Sequence, residues 1–347
     1  MKFSESLLRW YDKNKRKLPW RLARPDPYKT WISEIMLQQT RVDAALPYYE
    51  KFFKNFPCVE DLAAANVEKV LQLWSGLGYY SRARNLHQAA QQIVKEGMPT
   101  TKEGWMNLPG IGDYSSSAIA SIAFEERTPV LDGNVHRVLT RLYALKGDPK
   151  KGELKKKLAR LAQELLPQKR IGDHNQAMME LGALVCLPSA PQCGVCPFQK
   201  DCKAFQMKKT DQFPTQQKKI IRKVSWEALL IENRGKFLLA KRNDKRHLQS
   251  MWEFPRGKLS GVQLLKMKQL PVVKHSIMDQ NISCTPYLYQ YQSGKPKPNQ
   301  QYVAFQWIEP NELENYPTSS LNKKIIRRIS SEEHRPRLKS RMPPSAS

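Results

Sequence analysis

Apolar positions in the first 206 residues recur at helical spacing. Leu7, Leu8, Trp10 and Tyr11 form one stripe, and Trp31, Ile32, Ile35 and Met36 form another. Val135, Val138, Leu139, Leu142 and Tyr143 fall at i, i+3, i+4, i+7 and i+8, the period of a half-buried helix. Asp132-Gly133-Asn134 stands directly before that run and supplies a turn and an N-cap. Strand-like alternation is nearly missing, so residues 1–206 read as an all-α domain. From 207 to 223 the chain turns polar and basic, the composition of a linker crossing a surface or a phosphate backbone. Then the period changes. Residues 226–231 and 236–240 read as two strands joined at Asn233-Arg234-Gly235, and 287–291 and 302–307 as two more. Residues 224–330 are therefore predicted as a smaller α+β domain, and 331–347 as a disordered basic tail.

A chain of 347 residues exceeds what one core usually organises, which agrees with two domains. Lysines and arginines number 58 against 32 acidic residues, a net charge of +26. Each phosphate neutralised by such a surface releases counterions, so a polyanion is the natural partner. Charge alone also fits a solvated surface on an unrelated enzyme, but here it runs through the motif regions as well as the tail. No apolar run reaches the roughly 20 residues of a membrane helix, so no membrane role is expected. Residues 1–6 lack the apolar stretch of a secretory signal, which points to the cytoplasm, or to the nucleoid in a bacterium.

Cys186, Cys193, Cys196 and Cys202 fall within 17 residues, while Cys58 and Cys284 stand alone. In a reducing compartment such a cluster is more often a metal site than a disulfide set. Four thiolates can hold zinc or an iron–sulfur cluster. One C-x2-C flanked by single cysteines, with no histidine nearby, fits zinc poorly. A second motif, Leu108-Pro109-Gly110-Ile111-Gly112-Asp113, precedes a helix of small residues from Tyr114 to Ala123. Gly110 and Gly112 in a tight turn leave amides available, and the helix N-terminus adds a positive field. That geometry holds a phosphate without reading sequence. Asp113 beside the phosphate is expected to weaken the contact slightly.

The hairpin, its following aspartate and the cysteine loop together resemble the helix–hairpin–helix, or endonuclease III, superfamily of base-excision glycosylases. The resemblance covers nearly all of residues 1–206 and implies a 4Fe–4S cluster on the four cysteines, with a structural role. Bifunctional members carry a lysine after the hairpin. Tyr114 stands there and cannot form a Schiff base, so strand cleavage is not expected. Ser33-Glu34-Ile35-Met36-Leu37-Gln38-Gln39-Thr40 resembles the adenine DNA glycosylases (the MutY family), whose general acid falls on Glu34. Its apolar neighbours imply desolvation and a raised pKa. The resemblance gives Asp132 the task of stabilising the cationic sugar, with Asn134 and Tyr114 assisting. It puts Trp20, Arg21 and Glu180 in the adenine pocket, and Gln39 and Tyr79 as wedges in the base stack. Taken alone, Trp20 and Tyr79 read as core aromatics and Asp132 as a helix cap. A mismatch thymine glycosylase and a noncatalytic DNA-binding relative are the alternatives. The expected partner is duplex DNA with adenine opposite 8-oxoguanine or guanine, bound by a monomer.

Trp252-Glu253-Phe254-Pro255-Arg256-Gly257-Lys258-Leu259 resembles the MutT-like (Nudix-like) C-terminal domain of the same family, which reads 8-oxoguanine. Residues 258–274 contain no acidic side chain for magnesium, so pyrophosphohydrolase activity is not expected. The family's Phe-Ser-His recognition loop falls on Ile277, Met278 and Asp279. Losing the serine and gaining a carboxylate is expected to cost about 1–3 kcal/mol of polar readout. Lesion preference is then reduced, or shifted to nearby residues.

Overall fold

A computed structural model of the chain describes residues 2–215, 221–243, 251–277, 279–313 and 316–330. The stretch read as a disordered tail, 331–347, lies outside the described residues, as does Met278. Contacts divide the chain into two units, Met1–Ala65 with Asn85–Lys218, and Asn66–Arg84 with Lys219–Ser347.

The first unit holds no strand among its described residues. Five of its helices build the site: α1 (Phe3–Asn14), α2 (Pro27–Leu37), α3 (Asp113–Phe124), α4 (Gly133–Leu142) and α5 (Ile171–Leu184). Three of them start on a carboxylate cap. Asp26 caps α2 by accepting from the Lys29 amide at 3.0 Å, and Pro27 takes the first turn, where its missing N–H costs nothing. Asp132 caps α4 through the Val135 amide at 2.7 Å. The start of α5 is capped from a distance: the Glu125 carboxylate accepts from the Ile171 and Gly172 amides at 2.8 and 3.0 Å.

Packing then brings the chemistry together. Val135, Val138, Leu139 and Leu142 of α4 share a core with Leu7 and Tyr11 of α1 and Met178 and Leu181 of α5. α5 packs against α1, α3 and α4, and α2 packs against α3. The run of serines and alanines in α3 is buried throughout, which lets neighbouring backbones approach closely. Gly182 does the same for α5 and α4, since a Cβ there would lie 2.5 Å from the Cβ of Asn134. The basic connector is anchored in its first part. Phe213 is buried, and Arg141 Nε donates to the Thr210 and Phe213 carbonyls at 2.8 and 3.0 Å.

Among its described residues the second unit holds a seven-stranded sheet, the helix Val67–Trp74 and a longer helix near the end of the chain. Its strands are β1 (Arg222–Asn233), β2 (Lys236–Arg242), β3 (Trp252–Glu253), β4 (Val262–Gln269), β5 (Val273–Ile277), β6 (Gln280–Gly294) and β7 (Tyr302–Ile308). The main order is β3-β2-β1-β6-β4, with β5 on β6 and β7 on β2. β1 begins two residues inside the stretch read as a linker. The β1–β2 turn falls on Arg234 and Gly235, both at positive φ, as a two-residue hairpin of matching twist requires. β1 and β6 run parallel; the other pairs are antiparallel. Helix α6 (Ser320–Ser330) buries Leu321, Ile325 and Ile326 against Leu230, Leu239 and Phe254. The segment 66–84 is tied to the start of this helix. Ser75 Oγ and Tyr80 Oη donate to the Thr318 carbonyl at 3.0 and 2.8 Å, and Lys323 Nζ donates to the Ser75 carbonyl at 2.6 Å. No helix among the described residues is long and apolar enough to cross a membrane.

The approach at Gly182 generates a prediction. Gly182→Ala is expected to destabilise the chain by about 1–3 kcal/mol through overpacking against Asn134, measured by denaturant unfolding. An unchanged midpoint would mean that α4 and α5 separate without cost.

Candidate active site

Glu34, Tyr114, Asp132 and Asn134 reach one cleft of about 560 Å³ in the first unit, and Trp20, Arg21 and Glu180 line it too. Four helices and one loop thus deliver seven of the residues singled out in the sequence.

Glu34 is only 7 % exposed, carried inward by the apolar positions around it on α2. Tyr114 Oη donates to its Oε2 at 2.8 Å. Burial pushes the Glu34 carboxyl up to about 7, with the Tyr114 hydrogen bond pulling down and the Asp132 charge pushing up. Asp132 is raised as well, by burial, while the Val135 amide and Asn134 restrain the rise. Asn134 Nδ2 donates to Asp132 Oδ2 at 2.7 Å. The orientation of that amide is set from behind, because Arg137 Nη2 donates to Asn134 Oδ1 at 2.8 Å. Arg137 also reaches the Gly182 and Cys186 carbonyls, both at 2.7 Å.

Glu180 is 1 % exposed and clamped by two guanidinium groups. Arg16 Nε and Arg21 Nη2 each lie 2.8 Å from its oxygens. Burial works against ionisation here, yet the two arginines bring the carboxyl down to about 2. Trp20 meets Tyr49 edge-on with ring centres 5.0 Å apart.

Cys186, Cys193, Cys196 and Cys202 line a second, small cavity of about 30 Å³. None is in a disulfide. Burial pushes the Cys196 thiol up to about 11 and raises those of Cys193 and Cys202. Among the described residues, no three Cys, His, Asp or Glu side chains are grouped to hold a single metal ion.

The hairpin stands apart from the cleft. Gly110 has φ +77, and a Cβ there would meet Asn85 Cβ at 2.6 Å, so glycine is required twice over. Gly112 is the N-cap of α3. Asp113 is paired with Lys102 Nζ at 2.7 Å, which offsets the acid placed beside the hairpin. Gln39 and Tyr79 both adopt left-handed backbone, at φ 59 and 50, and both are exposed. Non-glycine residues adopt this backbone uncommonly, and Glu125, Ala144, Arg170, Ala190, Lys208 and Arg234 do so as well. Tyr79 does not line the cleft. With Ile277 and Asp279 it lines another cavity, of about 360 Å³, in the second unit. Ile277 pairs with Gln280 across the β5–β6 hairpin, whose tip holds Asp279. The Arg222 amide donates to the Asp279 carbonyl at 2.7 Å.

Two cleft residues escape a reading of the sequence. Arg16 lies in the run Lys15-Arg16-Lys17, which looks like solvated charge. Arg137 sits three positions after Asn134, so its shared helix face was the available signal.

Residues 32–164 match the HhH-GPD superfamily of base excision DNA repair proteins, and residues 227–328 match the NUDIX domain. An adenine DNA glycosylase from Buchnera aphidicola is 39 % identical over 273 residues, covering 77 % of this chain and 77 % of that protein. The adenine DNA glycosylase of Mus musculus is 49 % identical over 215 residues, covering 59 % of this chain. The match spans 42 % of the mouse protein's length. A thermostable thymine-DNA glycosylase structure superposes with a TM-score of 0.54 at 28 % identity, covering 59 % of this chain and 95 % of that one. An endonuclease III–DNA complex shares the fold at a TM-score of 0.50 and 19 % identity, covering 59 % and 94 %. A helical HhH-GPD unit followed by a Nudix-like sheet, with a relative aligned along most of both chains, leaves one conclusion: the chain belongs to the adenine DNA glycosylase family.

Proposed function

We propose that the chain hydrolyses the N-glycosidic bond of adenine mispaired with 8-oxoguanine or guanine in duplex DNA, without cutting the strand. The observation that carries this reading is the buried Glu34 carboxyl, held at about 7 in the same cleft as Asp132. A carboxyl tuned there has a proton to give near neutral pH.

In this mechanism Glu34 protonates adenine at N7 as the bond from C1′ to N9 breaks. The bonding pair leaves with the base and positive charge develops on the sugar. Asp132 stabilises that charge as a carboxylate, its geometry fixed by Asn134 and the Val135 amide. Water then adds to C1′, and its proton returns to the carboxylate of Glu34. Tyr114 holds Glu34 in place and supplies no amine, which makes the enzyme monofunctional. Trp20, Arg21 and Glu180 wall the adenine pocket. Gly110 and Gly112 hold a phosphate, and Gln39 and Tyr79 fill the stack left by the flipped base. The β5–β6 tip at Ile277–Asp279 reads the opposite base, weakly for want of the family's serine.

The four cysteines suit a 4Fe–4S cluster. They are free thiols lining one small cavity, and four thiolates are the ligand set such a cluster takes. Held by Cys186, Cys193, Cys196 and Cys202, the cluster would cross-link the loop 186–202 and would supply no step of the reaction. The catalytic domain spans 1–206, the linker 207–223 and the lesion-reading domain 224–330. The enzyme acts as a monomer in the cytoplasm, on the nucleoid if the cell is bacterial.

Single-turnover adenine release is expected to be faster opposite 8-oxoguanine than opposite guanine, by a margin narrowed by the altered hairpin tip. No release from either duplex would sink the assignment. Glu34→Gln is expected to lower the rate by roughly 10²–10⁴-fold with duplex binding retained. The same change should stabilise the fold. A carboxyl whose folded pKa is raised adds stability only at low pH, and that stability is lost as pH rises through about 7. The glutamine removes a penalty on the order of 3 kcal/mol above that pH, read as a higher unfolding midpoint.

The rate should be bell-shaped in pH, falling at low pH as Asp132 protonates and at high pH as Glu34 ionises. Tyr114→Phe removes the hydrogen bond that favours the Glu34 anion, so the alkaline limb is expected to move to higher pH; a limb that stays put would remove Tyr114 from this role. Purified protein is expected to carry iron and sulfide in equal amounts, and Cys196→Ser to lose both; zinc in their place would refute the cluster.

A further inference from the structure

Arg141, in the last turn of α4, is buried to 2 % exposure. A guanidinium keeps its charge at any working pH, so burying one calls for an anion or for many acceptors. Nε donates to the Thr210 and Phe213 carbonyls, Nη1 to the Leu187 carbonyl at 2.6 Å, and Nη2 to that of Pro188 at 3.0 Å. Nη1 also donates to Cys186 Sγ at 3.4 Å. Four carbonyls and one sulfur therefore receive this side chain, and among the described residues no carboxylate does. Carbonyls orient the head without cancelling its charge. Arg141 also lines the cavity shared by Cys186, Cys193, Cys196 and Cys202, the one cation to do so among the described residues. Arg137, one turn earlier, reaches the Cys186 carbonyl and not its sulfur.

We propose that Arg141 is the counter-ion of the iron–sulfur cluster, held against the Cys186 sulfur so that the cluster resists oxidation. This rests on the cluster reading above. Four thiolates make a loaded site anionic, which gives the buried guanidinium the negative partner that carbonyls do not supply. Net charge and hydrogen bonds to the sulfurs both set a cluster's potential, and a cation that donates to a ligand sulfur favours the more electron-rich state. Withdrawing an electron beside Arg141 is therefore harder. The helix dipole favours a cation in the last turn of α4, and the contacts to 187–188 and 210–213 suit a staple across the cysteine loop. Neither accounts for the bond to sulfur.

The test compares the full chain with Arg141→Gln and Arg141→Lys, each purified with its cluster and titrated with ferricyanide. Ferricyanide takes one electron from the cluster and is reduced to ferrocyanide, while visible absorption follows the cluster. Arg141→Gln, which removes the charge, is expected to shift the oxidation potential downward and to bleach at lower ferricyanide than the parent. Arg141→Lys keeps the charge and should stay nearer the parent. Equal potentials in parent and Arg141→Gln overturn the proposal. Equal lowering in both variants does so too, since it assigns the effect to packing and not to charge. If neither variant folds with a cluster, the parent grown on nitrogen-15 arginine carries the test. Pulsed EPR of its cluster, reduced by irradiation in the frozen state, should show labelled nitrogen coupled to the cluster spin; no coupling overturns the proposal. A parent without iron–sulfur absorption overturns the cluster reading and this proposal together, whereas a loaded parent that Arg141→Gln matches overturns this proposal alone.

Discussion

The arrangement of the first unit turns on one expensive act, the burial of the Glu34 carboxyl. Apolar neighbours on α2 pull that helix into the core, and the acid travels with it. Its side-chain partner, the Tyr114 hydroxyl, comes from α3, so the packing of α2 on α3 orients the acid. The same low-polarity surroundings raise Asp132, and the Asp132 charge pushes Glu34 further from ionisation. The fold tolerates this because amide donors at the start of α4 are aimed at Asp132 and not at Glu34. Two acids of similar chemistry thereby acquire different protonation habits.

Much of that could be read from the chain. The helices around Glu34 and after Asp132 follow from apolar periodicity and a single cap, both local signals. The four strands at 226–231, 236–240, 287–291 and 302–307 fall within β1, β2, β6 and β7, where alternation or a turn dipeptide marks them. β4 was not legible. Its residues Val262–Gln269 are almost all exposed, so no buried face imposed a pattern. The trans-cap of α5 by Glu125 was equally hidden, since it depends on residues more than 40 positions apart that nothing local connects. Arg16 escaped for the same reason, its partner Glu180 lying 164 positions on, and the reach of Arg137 to Gly182 and Cys186 spans 45 and 49 positions.

The second unit shows how a chain keeps a scaffold while changing its chemistry. Glu253, in the segment that resembles MutT, is buried and held by Arg242 and Arg256 with the Tyr302 hydroxyl at 3.0 Å. It is a structural knot there, and residues 258–274 after it carry no acid to share a metal. The segment 74–81 is stitched to the start of α6 by Thr318 and Lys323, so the backbone that presents Tyr79 moves only with that helix.

The clamp around Glu180 has a consequence for how this sequence can drift. Two partly buried guanidinium groups face a cleft in which, on the proposed mechanism, a neutral base becomes a cation, and one carboxylate cancels half of their charge. Replacing Glu180 alone would leave both arginines repelling the species the cleft has to favour. Replacing one arginine alone would leave the other to hold the acid. Position 180 is therefore expected to be evolutionarily tethered to positions 16 and 21, which lie 164 and 159 residues before it in the chain.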